Sequence, residues 1–215
     1  MVFAAPTFVA GFVLSLSLIM AIGPQNAHVL RMGLQRQHLL LTLLTCVLAD
    51  VVLIGLGVFG LAQLGGLSDK LLGALIGAGV LFLGVYGWQA FQRFLKPQAL
   101  ALALMNDDTG KPQLAAAPVT QRQAILSALA FSWLNPHAWL DTAVLIGTAS
   151  LAYGQGSTSF GLGAATGSLV WFVVLGTAAF WLGRRLNSLH IWRVLDGAVA
   201  LMMWGTAAWL LSSLA

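Results

Sequence analysis

The sequence contains little charge. Only 7% of its 215 residues are charged, against roughly 25% in ordinary globular chains, and glutamate does not occur at all. Ten basic and six acidic side chains are too few to solvate the surface of a soluble domain of this length. Because 59% of the residues are hydrophobic, intrinsic disorder is excluded as well. The composition therefore indicates a polytopic membrane protein, with the lipid bilayer as its main surroundings.

The sequence also lacks the motifs of enzymes and cofactor-binding proteins. A single cysteine, Cys46, excludes an internal disulfide and a dithiol relay within one chain. Residues 55–60 match the GxGxxG pattern of dinucleotide-binding folds, but no strand precedes them, so helix packing through glycine explains them better. With His137 alone at membrane depth, no metal-ligand cluster is indicated. We therefore expect no enzyme, no metal and no cofactor.

Charge-free runs predict an all-α polytopic membrane protein. About 20 apolar residues cross the hydrocarbon of a bilayer, and the runs are too continuous for a barrel. The longest run is divided by the turn-rich residues 153–161. The first run has neither a basic leader region nor a cleavage site, so we expect it to be retained. The six predicted transmembrane helices lie at residues 6–30, 38–62, 69–93, 123–151, 160–183 and 190–213.

Basic residues predict the orientation. Nine of the ten fall in the loops after spans 1, 3 and 5, and only Lys70 falls on the other side. The positive-inside rule then places these loops in the cytoplasm and both termini outside. Because the charges are scattered over short loops, nucleic-acid binding is not expected. The nine residues are Arg31, Arg36, Arg93, Lys96, Lys111, Arg122, Arg184, Arg185 and Arg193.

Two proline-containing segments predict a broken helix in each half of the chain. Residues 12–25 align with residues 124–137 at an offset of 112. Pro24 then falls on Pro136, and each proline lies near an asparagine. Three spans in each half would give the halves opposite orientations, which is the 3+3 inverted repeat of many secondary transporters. The chain is thus interpreted as one transmembrane domain, 1–215, with repeat one at 1–93, a cytoplasmic loop at 94–122 and repeat two at 123–215.

These breaks predict a polar cavity. Irregular backbone at membrane depth is tolerated only where protein or an aqueous cavity covers it. A kink repaired by neighbouring helices is the alternative at either proline, but two breaks at matching places favour a binding site. The residues expected at the helix breaks, with a gating role, are Gly23, Pro24 and Pro136. The polar candidates for substrate or proton binding are Gln25, Asn26, Asn135 and His137.

Two aspartates are predicted to lie within the spans. Asp50 falls near the centre of the second span, and Asp141 follows Pro136 by five residues. An aspartate at the centre of a membrane helix costs about 3 kcal/mol, and neither residue has a predicted lysine or arginine partner at its depth. Both are therefore candidates for binding a cation or a proton; a structural salt bridge or a buried protonated acid is the alternative. Asp196 is instead expected to pair with Arg193 three residues earlier.

Carboxylates without fixed partners suit a cationic cargo. The ammonium or guanidinium group of the cargo would supply the missing charge. An α-carboxylate would be received by the N-terminus of a half-helix after a break, where free N–H groups point. A basic amino acid meets both requirements, but a polyamine or a metal cation is also admitted.

Three segments resemble the LysE family of lysine/arginine exporters, and within it the ArgO-type arginine exporters. They are GPQNAHVLRMGLQRQHLL (23–40), LADVVLIGLGVFG (48–60) and FSWLNPHAWLDTAVLIG (131–147). The resemblance covers nearly the whole chain and implies export of arginine, lysine and analogues such as canavanine across the bacterial inner membrane. It further implies an antiporter that works by alternating access and is driven by the proton motive force. Its motif positions correspond to Gly23, Pro24, Gln25, Asn26, Asp50, Asn135, Pro136 and Asp141.

His28 departs from the resemblance, because a phenylalanine is expected there. We interpret it as an exposed substitution near the membrane surface; tuning of a pH response is the alternative, because histidine titrates near neutrality. The Pro-Gly-Pro type motif of the related neutral amino-acid exporters is absent from the first span.

Two other functions are left open by the sequence. One is an exporter of neutral amino acids such as homoserine, threonine or leucine, whose aspartates serve only protons. The other is a membrane scaffold that transports nothing and whose buried acids are structural. Glycine pairs at Gly73 and Gly77 and at Gly163 and Gly167 predict close helix packing, which permits a homodimer without requiring one.

Overall fold

The computed structural model describes residues 4–21, 23–61, 69–95, 119–183 and 189–212, and every element in these ranges is helical. The predicted all-α class is therefore confirmed. The helices are α1 (Ala5–Ile19), α2 (Pro24–Gln35), α3 (Leu39–Leu56), α4 (Asp69–Leu95), α5 (Gln121–Trp133), α6 (Pro136–Ala138), α7 (Ile146–Leu151), α8 (Ser157–Gly183) and α9 (Leu189–Ser212). Two π-helical segments, Gly57–Leu61 and Trp139–Leu145, and a 3₁₀ turn, Gly154–Gly156, complete the set.

Parts of the predicted cytoplasmic side lie outside the described residues. They comprise most of the loop 94–122 and the segment before α9. The charged residues concerned are Lys96, Asp107, Asp108, Lys111, Arg184 and Arg185.

Four helical stretches are long and apolar enough to cross a membrane. They are Leu39–Gly60, Lys70–Leu95, Gly154–Gly183 and Arg193–Ser212. Helices α1 and α2 pass the same test together, although their axes differ by 78°, which gives up to five spans in the described part of the chain. The predicted span 123–151 is divided among α5, α6, a π-helical segment and α7.

The first helix break lies at Pro24, as the sequence predicts. Helix α1 ends at Ile19, and α2 begins at Pro24. Gly23 precedes it in an extended conformation, with φ −112° and ψ −177°. Proline suits the first residue of a helix, because the N–H that it lacks has no acceptor within the helix there. Pro24 therefore starts a new helix rather than kinking a continuous one.

The second break lies at Pro136 and has its own cap. Helix α5 ends at Trp133, and the Asn135 side-chain oxygen accepts a hydrogen bond from the backbone N–H of His137 at 3.1 Å. After the single turn of α6, the chain widens into the π-helical segment that carries Asp141. Such π-helical turns are rare and occur often at functional sites.

Glycines allow α1 and α8 to approach each other closely. A Cβ atom on Gly11 would lie 2.0 Å from the carbonyl oxygen of Phe160, and one on Gly163 would lie 2.0 Å from the carbonyl oxygen of Phe8. These distances are far below any van der Waals contact. The two helices can therefore pack along each other only with glycine at both positions.

The glycine packing predicted from the sequence is confirmed in part. Gly167 meets the backbone of Phe12, and Gly57 meets the backbone of Ala143 in the second broken helix. The interpretation was wrong for four other glycines, because a Cβ atom there would meet no described atom within 4 Å. These are Gly55, Gly60, Gly73 and Gly77.

Large apolar side chains divide between the core and the outer faces. Phe131, Phe160 and Phe172 are fully buried. Many leucines lie on the outer faces, and the most exposed include Leu81 at 72% and Leu201 at 73%. A helix that is apolar all round is typical of a membrane span, so these exposed faces are suited to contact with lipid.

We expect the substitution Gly163→Ala to destabilise the fold by roughly 1–3 kcal/mol, the usual cost of overpacking. The added methyl group must push α1 away from α8, because its nearest neighbour is backbone. Gly77→Ala is the matched control, since it adds the same group at an open position of α4. Thermal unfolding of the detergent-purified variants measures the difference, and equal midpoints would contradict the packing described.

Candidate functional site

Both helix breaks line one polar cavity of about 180 Å³. Residues from α3 and α9 complete its wall. The wall contains nearly all of the residues that the sequence singles out, namely Gly23, Pro24, Gln25, Asn26, Asp50, Asn135, His137 and Asp141. Pro136 is buried just behind it, where its ring packs on Gly79 of α4. The fold therefore assembles in one place residues that lie up to 118 positions apart in the sequence.

Asp50 is a buried carboxylate held by neutral donors. It is only 2% exposed. Its Oδ1 accepts a hydrogen bond from Gln25 Nε2 at 3.2 Å, and its Oδ2 accepts one from Ser168 Oγ at 2.7 Å. The same Gln25 amide donates to Ser132 Oγ at 3.0 Å. Within the described ranges no cationic side chain lies at ion-pair distance from Asp50, so its charge is solvated by dipoles alone.

Asp141 differs from Asp50 because it has an ionisable partner. His137 Nδ1 lies 2.9 Å from Asp141 Oδ2, one helical turn away. The two side chains are 46% and 29% exposed, and the His137 ring stacks on Trp209 of α9. Histidine changes its charge under physiological conditions far more readily than lysine or arginine. The cavity therefore holds one carboxylate beside an imidazole and another, Asp50, beside neutral donors.

Asn26 holds the first helix break together. Its Nδ2 donates to the carbonyl oxygens of Ile19 at 2.7 Å and Ala21 at 2.8 Å, and its Oδ1 accepts from Trp171 Nε1 at 3.1 Å. The last carbonyls of a helix have no partners within the helix and must find them elsewhere. Asn26 supplies those partners at the end of α1. Its amide lies at the cavity wall with both N–H groups and its oxygen already bonded to protein.

The expected pairing of Asp196 with Arg193 was wrong. Asp196 is 4% exposed, and its Oδ1 accepts from Arg31 Nη1 of α2 and from Arg93 Nε of α4, the latter at 3.1 Å. Arg193 instead places its guanidinium over the Phe94 ring, 5.0 Å from the centroid. The reason is the rotation of α9, which turns Asp196 into the protein and leaves Arg193 outside.

The expected exposure of His28 was also wrong. The residue is 4% exposed, and its ring stacks on Phe131 with a centroid distance of 4.7 Å. Neither ring nitrogen has a hydrogen-bond partner among the described residues. Because the chain bends at the first break, α2 runs into the protein rather than along its surface, and most of its side chains are buried.

Several polar residues of the site could not be singled out from the sequence. Ser132 and Ser168 complete the hydrogen bonds around Gln25 and Asp50, and Trp171 fixes Asn26. The only signal is a polar atom within an apolar run, which in lipid needs a partner. Thr142 and Thr206 also line the cavity. Nothing in the sequence distinguishes them from other hydroxyls within helices, since Thr206, like Thr166, donates to a carbonyl of its own helix.

We expect Asn26→Leu to lower stability by more than the loss of one hydrogen bond. The variant leaves two carbonyl groups and one indole N–H unpaired, at roughly 1–3 kcal/mol for each unsatisfied buried group. Thr166→Val serves as the control, since it removes a single bond within α8 on an exposed face. Thermal unfolding in detergent compares them. A similar, small loss in both variants would show that Asn26 does not hold the break.

Comparison with known proteins finds one family. The sequence model of the family described as "LysE type translocator" matches residues 16–214. The chain is 38% identical over 202 residues to "Arginine exporter protein ArgO" of Pectobacterium carotovorum subsp. carotovorum (strain PC1), which covers 93% of this chain and 94% of that relative. The proteins of the same name from Pectobacterium atrosepticum and Serratia proteamaculans are 36% and 37% identical over 201 residues, again covering 93% of this chain. The alignments cover 94% and 93% of those two relatives, respectively. No solved structure matches the chain.

Proposed function

Because the chain belongs to the LysE type translocator family, whose members are membrane transporters, we propose that it exports basic L-amino acids. The substrates are arginine, lysine and analogues such as canavanine. Transport runs from the cytoplasm across the bacterial inner membrane by alternating access and is driven by the proton motive force. The chain matches relatives named as arginine exporters over almost their full length, and these matches support arginine as the main cargo.

Asp50 carries this proposal. It is a carboxylate at the centre of a membrane-spanning helix, it faces the cavity, and it has no cationic partner in the described part of the chain. A buried carboxylate of this kind is costly unless a cation compensates it. The guanidinium or ammonium group of the cargo supplies that cation. Gln25 and Ser168 hold the two oxygens in place for it.

The N-terminus of α2 supports binding of the other end of the amino acid. Gly23 has no side chain to cap α2, and among the described residues no side-chain cap is found there. Gly23, Pro24 and Gln25 all line the cavity. Free N–H groups at the start of a half-helix bind a carboxylate, as in other transporters with broken helices. The cargo's α-carboxylate takes this position.

His137 and Asp141 suit the proton. Their pair lies in the same cavity as Asp50 and is partly exposed, so a proton can reach it. A proton that binds there from outside adds positive charge to the cavity as the cationic cargo leaves. The return of the unloaded protein then carries the proton inward. Asp50 thus serves the cargo, and the His137–Asp141 pair couples transport to the proton gradient.

The proposed topology is six crossings in a 3+3 inverted repeat, with both termini outside. The packing of the helices supports it, since α1 and α2 pack on α8 while α5, α7 and the π-helical segment between them pack on α3. Helices α4 and α9, the last of each half, pack on each other and bury residues at the same successive spacings. The buried positions are Leu83, Gly87 and Ala90 on α4 and Met203, Ala207 and Leu210 on α9.

We expect proteoliposomes that contain the protein to release preloaded arginine when a proton gradient is imposed, and Asp50→Asn to abolish that release. The asparagine keeps the size of the side chain but removes the charge that pairs with the cargo. Asp50→Asn should remain folded, since Gln25 can still donate to the amide oxygen and the Ser168 hydroxyl can turn to accept from the amide N–H. Radiolabelled efflux, with thermal unfolding as the check on folding, measures the effect.

Competition then separates the proposal from its alternatives. Excess canavanine inside the vesicles should slow arginine efflux, whereas homoserine or leucine should not. The reverse order would indicate a neutral amino-acid exporter. If no amino acid is released and none stabilises the purified protein against heat, the scaffold interpretation is correct. Gradient-driven efflux at the full rate by Asp50→Asn would remove Asp50 from the mechanism.

Side-specific labelling tests the topology. Single cysteines replace Ala5, Gln121 or Gln155, all exposed, in a Cys46→Ala background. We expect a membrane-impermeant maleimide to label Ala5→Cys and Gln155→Cys from outside the cell and Gln121→Cys only in inverted vesicles. Labelling of Ala5→Cys and Gln121→Cys from the same face would contradict the three crossings proposed between them, and with them the 3+3 topology.

A further inference from the structure

A cluster of three charges, here called the latch, joins three helices; Asp196 and Arg31 in it are buried, and Arg93 is partly exposed. Asp196 of α9 accepts hydrogen bonds at Oδ1 from Arg31 Nη1 of α2 and from Arg93 Nε of α4. Asp196 is 4% exposed and Arg31 is 9% exposed. Helices α4 and α9 already pack closely on each other, whereas α2 is the short half-helix behind the first break. The latch therefore connects the short helix α2 to the closely packed helices α4 and α9.

The charges of the latch do not balance. It has two cations and one anion, and Arg93 Nη2 is buried without a hydrogen-bond partner among the described residues. Arg31 is better satisfied, because the Gln35 oxygen, in the amide orientation that suits both side chains, accepts from its Nε and Nη2 at 3.2 and 3.3 Å. Buried ion pairs are often replaceable by apolar residues without loss of stability. Stability alone is therefore a poor explanation for an unbalanced cluster in this position.

An aromatic layer separates the latch from the cavity. Along α2, Gln25 lines the cavity, His28 lies almost one turn further, and Arg31 lies at about 9 Å from Gln25 along the axis. The His28 ring stacks on Phe131, whose face meets the Tyr86 ring edge-on at a centroid distance of 4.6 Å. Cavity, aromatic layer and latch thus follow one another toward the end of α2 that the proposed topology places at the cytoplasm.

The other side of the cavity is more open. His137 and Asp141 keep 46% and 29% of their side-chain surface exposed, whereas His28 and Asp196 are each 4% exposed. In the proposed orientation, the more exposed residues lie toward the outside and the more buried residues toward the cytoplasm.

We propose that Asp196 is a positioning residue of the transport cycle: through Arg31 and Arg93 it holds the half-helix α2 against α4 and α9 and so closes the cytoplasmic end of the cavity. This inference rests on the proposed function, because it assigns the cytoplasmic gate that transport by alternating access requires. Opening to the cytoplasm requires Asp196 to release Arg31, so that the C-terminal half of α2 can move away from α4 and α9.

The latch also connects the gate to the cargo. Gln25 lies on the same half-helix as Arg31, and its amide holds Asp50 Oδ1. Movement of α2 therefore changes the donors around Asp50 at the same time as it opens the cytoplasmic end. A cargo that binds Asp50 in the closed geometry favours a closed latch, which links loading of the site to closure behind it.

A cysteine in the cavity wall reports on the gate. Ala138→Cys, in a Cys46→Ala background, places a thiol at the second break. A membrane-impermeant maleimide is applied to right-side-out and to inverted vesicles, without arginine and without a gradient. With the latch intact we expect labelling mainly from outside. Adding Asp196→Asn should raise the rate from the cytoplasmic face about tenfold, within the usual range of coupling between sites.

Three further variants make the experiment specific. Arg193→Gln removes a charge from the same helix, one turn from Asp196 and outside the latch, and should leave both rates unchanged. Asp196→Glu keeps the anion and should restore the original ratio. Arg93→Gln keeps the Arg31–Asp196 pair and should give a smaller increase in the labelling rate from the cytoplasmic face. This variant still tests the proposal if Asp196→Asn does not fold.

The ratio of the two rates decides the proposal. A folded Asp196→Asn with an unchanged ratio would overturn it, and so would an unfolded Asp196→Asn together with an unchanged Arg93→Gln. A global loss of packing raises both rates equally, which also overturns it. Arginine efflux is measured separately. If Asp196→Asn changes the ratio of labelling rates but the protein does not transport arginine, the proposed cargo is wrong and the proposed gate is not.

Discussion

The structure depends on one constraint: backbone groups freed inside an apolar medium must find partners in the protein. In lipid each unsatisfied N–H or C=O costs several kcal/mol, so a helix can break there only where other residues replace the lost hydrogen bonds. Asn26, whose side chain is held by Trp171, does this at the first break, and Asn135 does so at the second. The short half-helices, the cavity between them and the bent path of α2 all follow from these two repaired breaks.

The same constraint explains where the polar residues lie. Once the breaks exist, the space between them must be lined by groups that tolerate water or a polar ligand, and the cavity wall accordingly holds two carboxylates, a histidine and several amides and hydroxyls. Elsewhere the described helices pack through glycine or present leucine to the outside. Close contacts such as that of Gly57 with the Ala143 backbone bring α3 against the second broken helix. Close packing of small residues, which have no polar side chains, therefore holds the helices in place around the polar site.

Three acidic residues within the helices occupy three different environments. Asp50 is surrounded by neutral donors, Asp141 has a histidine, and Asp196 has two arginines. In the proposed function, these environments correspond to a carboxylate that binds a cation of the cargo, one that exchanges a proton, and one whose charge is neutralised by arginines of the protein itself. The division of roles proposed for them follows from their neighbours, since the residue type is the same in all three.

The sequence by itself determined the helical class, the two breaks and most of the polar residues that line the cavity. This was possible because a proline ends or starts a helix by local chemistry, and because a carboxylate in an apolar run is costly wherever the run folds. Only the tertiary structure decided which side chains meet. Asp196 and Arg193 are three residues apart, yet α9 turns one inward and the other outward, and His28 is buried because α2 bends into the protein. Such contacts depend on the rotation and crossing of helices distant in sequence, which many side chains set together and no local pattern records.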